Sequence, residues 1–366
     1  MKNLLIKADN IVGLEYLLYE KNMKDSIDLV YIDPPYATGG NFTITNGRAT
    51  TISNSKNGDI AYTDTLKGAD FIEFLRERLL LLRELLSAQG AIYLHIDYKI
   101  GHYVKVMMDE VFGVDNFRND ITRIKCNPKN FDRVGYGNIK DMILFYTKSS
   151  HPIWNEPREK YLEKDFEKLF PKTDKQGRRY ATVPIHAPGE TENGKSNQPF
   201  KGILPPAGRH WRTDVETLEE WDKEGLIEWS STGNPRKIIY ADEREGKRVQ
   251  DIWEYKDPQY PTYPTEKNAE MLDLIIKTSS NKDSIVLDCF CGSGTTLKAA
   301  QINNRQWIGI DQSEYAIKAT IGKLETIERN LFETKAEYHL VEIEKNKISH
   351  NFQKQRCTQK NVEQSG

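Results

Sequence analysis

The stretch Ile285 to Thr296 reads IVLDCFCGSGTT: an apolar run, an acid at its end, then two glycines in front of residues at helical spacing. Such a segment has one economical solution, a buried strand that turns tightly into a helix. Glycines there also let a ligand come close to the backbone and to the helix N-terminus. A second strand, Trp307 to Ile310, follows and ends in Asp311, with a helix from Glu314. Strands alternating with helices predict an α/β domain with a parallel sheet.

A dinucleotide fingerprint would need a third glycine where Leu297 stands, and no Gly-Lys-Ser/Thr follows for a phosphate loop. An acid closing the second strand is placed to accept hydrogen bonds from ribose hydroxyls. The two observations point to a nucleoside ligand without a pyrophosphate. The competing possibility is mechanical, with Gly292 and Gly294 making a turn and Asp311 an N-cap. Acids at both strand ends weigh against it.

The same alternation runs through the N-terminal part. Leu4 to Ile6 reads as a strand, with Ile11, Leu14, Leu17 and Leu18 at helical spacing after it. Phe71 to Leu86 predicts a long amphipathic helix, with Gly90 near its C-cap. Ala91 to Ile96 predicts a strand, Ile100 to Val111 a helix, and Met142 to Tyr146 another strand. The regularity fails between His151 and about Tyr263 and then resumes. The expected organisation is therefore 1–150 and 263–344 as two halves of one α/β domain, 151–262 as an inserted domain, and 345–366 as a polar, flexible tail.

A second loop carries chemistry. Asp28 to Ile32 (DLVYI) predicts a strand that must end at Asp33-Pro34-Pro35-Tyr36, because two prolines cannot continue it. The loop could be a plain surface turn. Chemically it offers a carboxylate, rigid carbonyls and an aromatic face, which suit a planar amine such as a nucleobase stacked on Tyr36.

Taken together, Asp33-Pro34-Pro35-Tyr36 and Asp288-Cys289-Phe290-Cys291-Gly292-Ser293-Gly294-Thr295-Thr296 resemble the S-adenosylmethionine-dependent amino methyltransferases of DNA. The catalytic motif precedes the cofactor motif, as in the permuted β group, which includes type III modification subunits. The resemblance also covers GAIYLHID, VFGVDNF, GRHWR and YPTEKNAEMLDLII. It implies a circularly permuted, doubly wound Rossmann-like sheet with an inserted target-recognition domain. By the same resemblance Asp33, Pro34, Pro35 and Tyr36 are catalytic: a flipped adenine stacks on Tyr36, and its amino group bonds Asp33 and the Pro34 carbonyl. Asp9, Lys267, Asp288, Phe290, Gly292, Ser293, Gly294, Thr295 and Asp311 would surround S-adenosyl-L-methionine. For Asp9 a helix cap and for Lys267 an exposed first-turn lysine are the plain alternatives.

The implied activity is adenine-N6 methylation of double-stranded DNA, within a restriction-modification system. Cytosine-N4 methylation, RNA amino methylation and a non-catalytic DNA-binding scaffold are the rivals. An Asp rather than a Ser before Pro34 leans toward adenine within the family. A restriction endonuclease and a second copy of the chain are partners the sequence leaves open.

Composition excludes other classes. Lys+Arg 52 against Asp+Glu 54 leaves no global positive charge, so a basic surface must be local. Four cysteines without C-x-x-C spacing suggest neither a disulfide framework nor a zinc site, and Cys289 and Cys291 read as small buried residues. No apolar run suits a signal peptide or a membrane span, which points to the cytoplasm. Locally, Lys195, Lys201, Arg209 and Arg212 lie in a stretch without acids, interleaved with Phe200 and Trp211. This patch suits phosphate contacts, with Asn197 and Gln198 as base readers, unless the loop only clamps Trp211. The basic stretch Arg118 to Lys148 offers a second strip for DNA.

Overall fold

The structure is a computed structural model and describes residues 2–35, 41–45, 48–50, 59–63, 68–128, 132, 134–189, 194–259, 266–327 and 337–344. The chain divides into two compact units, Met1–Pro157 with Gln250–Gly366, and Arg158–Val249.

The first unit is built on a nine-stranded sheet. In chain order the strands are β1 (Asn3–Lys7), β2 (Ile27–Ile32), β3 (Leu86–Ile96), β4 (Phe117–Ile124), β5 (Lys140–Thr147), β6 (Ile252–Trp253), β7 (Ile285–Asp288), β8 (Gln306–Asp311) and β9 (Tyr338–Glu342). They lie in the order β6-β4-β5-β3-β2-β7-β8-β1-β9. β5 pairs antiparallel with both β3 and β4, and the other pairings are parallel. The expectation of parallel strands therefore fails at β5, because an apolar run such as MILFY records burial but not direction.

Helices α1 (Asn10–Glu15), α2 (Ala69–Leu85) and α3 (Gly101–Phe112) share an apolar core with one face of the sheet. Leu75, Leu79 and Leu82 of α2 are fully buried there with Val30, Ile32, Ile92 and Leu94. Each such side chain contributes about 1.5–3 kcal/mol on burial. Helices α4 (Ala269–Ser279), α5 (Thr295–Ile302) and α6 (Glu314–Glu325) complete the α/β domain. Gly90 does not cap α2: β3 begins directly at Leu86, and a Cβ on Gly90 would lie 2.9 Å from the Ile27 carbonyl oxygen. The glycine serves close approach of β3 to β2 where their register shifts.

The second unit holds an antiparallel sheet in which Arg179–Pro184 pairs with Pro235–Tyr240, flanked by Lys172–Thr173 and Ile227–Trp229. Its small core gathers Ile185, Phe200, Trp211 and Leu218, the last from the helix Val215–Lys223. The Trp211 indole N–H donates to the Gln198 carbonyl at 2.9 Å. In the first unit, a separate small antiparallel sheet pairs Asn41–Thr45 with Arg48–Thr50 and Asp59–Thr63. The compositional break at 151–262 is wider than the second unit, because 151–157 and 250–259 return to the first one. The expected tail lies outside the described residues.

Among the described residues no helix is long and apolar enough to cross a membrane.

Candidate active site

The order of the strands places β2 beside β7, with the chain departing to either side, and ligands of open α/β sheets bind at such a point. Register pairs Leu29 with Val286 and Asp288 with Gly309, so Asp33, Asp288 and Asp311 close three neighbouring strands at the same edge. Sequence reading placed these acids at strand ends. The topology brings them together.

Asp33 leaves β2 with its carboxylate 2.9 Å from the Lys267 ammonium; the two side chains are 15% and 10% exposed. Lys267 is thus not a solvated first-turn lysine. It immediately precedes Asn268, whose side chain caps α4 by accepting from the Met271 N–H at 3.1 Å. Pro34 is buried and Pro35 half-buried. Tyr36 lies outside the described residues.

Asp288 is buried, and its Oδ1 accepts from the Phe290 N–H at 3.0 Å. Burial pushes its carboxyl up to about 7, against hydrogen bonds from Thr296 and the Phe290 N–H, with the charges of Asp33 and Asp311 pushing the same way as burial. Three acids therefore gather at this edge, with Lys267 paired to Asp33.

Asp311 does local work first. Its Oδ2 accepts from the Gly292 N–H at 3.0 Å and its Oδ1 from the Ser313 N–H at 2.9 Å, so it fastens the glycine loop to the end of β8. Burial raises its carboxyl above the usual range. Gly294 precedes α5 at φ +75°, and a Cβ there would meet Thr320 at 2.7 Å. The loop thus needs glycine for its own packing as well as for any ligand. We expect Asp311→Ala to cost about 1–2 kcal/mol of stability, since two part-buried N–H donors lose their acceptors. An unchanged denaturation midpoint would show that the loop holds itself.

The remaining site residues are held by partners that sequence reading missed. Ser293 and Thr295 hydroxyls contact the Lys323 ammonium at 2.9 and 2.8 Å, and Lys323 also pairs with Glu266. Asp9 caps α1, accepting from the Ile11 N–H at 3.0 Å, as its plain alternative held. It also lies 3.4 Å from Arg78, a nearly buried arginine on α2. The Arg78 guanidinium covers the Phe74 ring at 3.5 Å, and that ring neighbours Phe290 at 6.2 Å. Lys323 and Arg78 sit in helices rich in charge, where nothing in the spacing separates a buried cation from a solvated one. Cys289 and Cys291 are buried and burial pushes both thiols up, which disfavours the thiolate.

The two basic stretches change character. In the second unit Lys201 pairs with Asp222 at 2.8 Å, an acid from outside the stretch. Arg209 instead meets His186, its guanidinium 3.2 Å from Nδ1, and Arg212 donates to the His186 carbonyl oxygen. Arg236 bears on the same histidine. In the first unit Arg123 is fully buried and Lys125 pairs with Asp141, so these two do not belong to a surface strip.

The family model for DNA methylase, covering N6 and N4 amino methyltransferases, matches residues 27–322. The type II methyltransferase M.EcaI of Enterobacter cloacae is 41% identical over 328 residues, spanning 88% of this chain and 69% of that protein. The Mod subunit of the type III restriction-modification enzyme StyLTI of Salmonella typhimurium is 25% identical over 337 residues, 83% of this chain and 50% of the subunit. The chain thus spans about half the length of that subunit. The solved M1.HpyAVI–SAM complex aligns with a TM-score of 0.44 at 18% identity, over 87% of this chain and 98% of that one.

Proposed function

The chain belongs to the N6/N4 DNA methylase family, and on that premise we propose that it is a site-specific DNA methyltransferase acting on the N6 amino group of adenine in double-stranded DNA. The observation that carries this reading is the juxtaposition of Asp33, held by Lys267, with Asp288 on the neighbouring strand end. One acid faces a base and the other a methyl donor.

S-Adenosyl-L-methionine supplies the methyl group when bound. The site fits it: a buried acid pushed up to about 7, among other acids, is stabilised by a sulfonium cation. Asp9, Lys267, Asp288, Phe290, Gly292, Ser293, Gly294, Thr295 and Asp311 are the residues proposed to hold it. Asp33 and the Pro34 carbonyl accept the hydrogens of the adenine amino group, and Tyr36 stacks on the extruded base. Lys267 keeps the Asp33 carboxylate oriented for that task. Positioning and electrostatics then supply most of the acceleration. The unit Arg158–Val249 is proposed as the target-recognition domain, with Arg209, Arg212 and Arg236 on the phosphate backbone. A cytoplasmic restriction-modification system, with a companion endonuclease, is the setting this reading fits.

The test is to incubate the protein with unmethylated DNA and isotopically labelled methyl donor, then resolve the nucleosides by mass spectrometry. Label in N6-methyladenine supports the reading, whereas label in N4-methylcytosine, or none, overturns it.

Asp288 adds a pH dependence. An acid raised in the folded state favours folding most at low pH, and that contribution is lost as pH rises through about 7. Binding of a cation pulls the other way, since it favours the ionised form. Affinity for the methyl donor is therefore expected to rise about tenfold from pH 6 to pH 8, the change for one carboxyl that must ionise near 7. Asp288→Asn should flatten this profile in calorimetry. A wild-type affinity independent of pH would remove Asp288 from the cation's surroundings.

A further inference from the structure

Two residues before Asp33, within β2, stands Tyr31, 1% exposed. Its hydroxyl lies 3.0 Å from Nδ1 of His95, a fully buried residue of β3. The other ring nitrogen, Nε2, lies 3.2 Å from Oδ2 of Asp141 on β5. Asp141 also accepts from the Lys125 ammonium at 2.6 Å and has Nη1 of Arg123 at 3.5 Å. Arg123 in turn donates to the Tyr255 carbonyl oxygen at 2.7 Å and to the Asp257 carboxylate at 2.6 Å. Between those two residues the Lys256 carbonyl accepts from Asn268 at 3.0 Å. Asn268 adjoins Lys267, the partner of Asp33. The contacts thus run from β2 across three strands to the segment after β6 and back to the carboxylate at the end of β2.

The protons in this circuit have fixed places. Burial would raise the Asp141 carboxyl, but hydrogen bonds from His95 and Lys125 outweigh it and hold the group well below the usual carboxylate range. An ionised carboxylate only accepts, so His95 carries its proton on Nε2. Burial, helped by the Lys267 charge, lowers the imidazole, which favours the neutral ring. Nδ1 is then the acceptor, and the Tyr31 hydroxyl donates to it. Every bridge has one direction.

Buried ions of this kind are costly, and apolar side chains of similar volume often stabilise a fold as well or better. The opposite face of β2, β3 and β5 is filled with apolar side chains such as Val30, Ile32, Ile92, Leu94, Met142 and Leu144. A network retained against that alternative is suited to holding geometry. Resting on the methyltransferase reading above, we propose that His95 is a positioning residue for methyl transfer: through Tyr31 on one side and the Asp141–Arg123 pair on the other, it fixes the end of β2 and the Lys267 segment so that Asp33 meets the target amine in register.

The experiment is single-turnover methyl transfer by the full chain to unmethylated plasmid DNA, recording rate constant and amplitude separately, with donor affinity by calorimetry. His95→Leu should lower the rate constant at least about tenfold, as sub-ångström misplacement does, with amplitude and donor affinity within threefold of wild type. His95→Gln should rescue most of the rate, because its amide offers the same acceptor to Tyr31 and the same donor to Asp141. Tyr31→Phe should slow transfer in the wild-type background and add little to His95→Leu, since the same bridge is already broken. A rate constant unchanged in His95→Leu, with only amplitude or melting temperature reduced, would make the role structural and overturn the proposal. So would a failure of glutamine to rescue. Should His95→Leu not fold, Tyr31→Phe decides by the same readout. Absence of transfer by the wild-type protein would instead sink the methyltransferase reading itself.

Discussion

Asp33→Ala is expected to lower methyl transfer by about a hundredfold to a thousandfold while leaving methyl-donor affinity within a few-fold. The magnitude is that of removing a preorganised hydrogen-bond partner from a water-excluded site, about 3–4 kcal/mol. The asymmetry follows from placement: Asp33 extends beyond β2, whereas Asp288 and Asp311 close the strands that carry the glycine loop. One complication comes from Lys267, 10% exposed and left without its 2.9 Å carboxylate partner in the variant. Losing that carboxylate changes the charge balance around Lys267 and with it the donor's surroundings. The double variant Asp33→Ala/Lys267→Met separates the effects, since it removes both charges. If the single variant loses donor binding and the double variant recovers it without recovering transfer, Asp33 keeps its place against the base. If both lose donor binding, the acid belongs to the cofactor and the assignment is wrong. Asp33→Asn should keep more transfer than alanine, because the amide oxygen can still accept from the amine although the charge paired with Lys267 is gone.

The loops that carry this prediction were legible in the sequence because strand ends are local events. Two prolines after DLVYI must end the strand, and Gly-Ser-Gly after IVLD must turn it. The capping role of Asp9 was legible for the same reason. What escaped was long-range. The reversed β5 escaped because periodicity has no direction, and Gly90 was misplaced because a helix that passes straight into a strand leaves no terminator between them. Arg123, Lys125 and Asp141 looked like a surface strip of mixed charge, yet they meet behind His95 only because β4 and β5 pair with Arg123 opposite Asp141. Lys201 looked free of acids until the helix Val215–Lys223 brought Asp222 to it. In each case the residue types were visible but the partner lay on another element, and the sheet order decides which elements are neighbours.

The second large effect concerns recognition. Replacing Arg158–Val249 with the corresponding unit of a relative is expected to abolish methylation at the native site and to install the relative's site, with the modified atom unchanged. Each wrong base pair costs about 1–3 kcal/mol, so two or three lost contacts at about 2 kcal/mol each would weaken the native site by about a thousandfold or more. The junctions determine whether the experiment works. A swap over 151–262 would remove β6 and Asp257, leaving the fully buried Arg123 without its 2.6 Å carboxylate and β4 without its outer neighbour. It would also remove Trp154, stacked on Phe145 at 5.9 Å, and Asn155, whose side chain donates to the Lys277 and Ser280 carbonyl oxygens at the end of α4. Breaking a buried ion pair from one side is strongly destabilising, about 3–5 kcal/mol. The wide swap should therefore lower the melting temperature and inactivate the protein, whereas the swap at Arg158 and Val249 should fold and change its sequence preference. Single-molecule sequencing of DNA from cells expressing each chimera reads the outcome. If the narrow chimera folds and still modifies the native site, recognition resides on the α/β unit, and Arg158–Val249 contributes only affinity for the backbone.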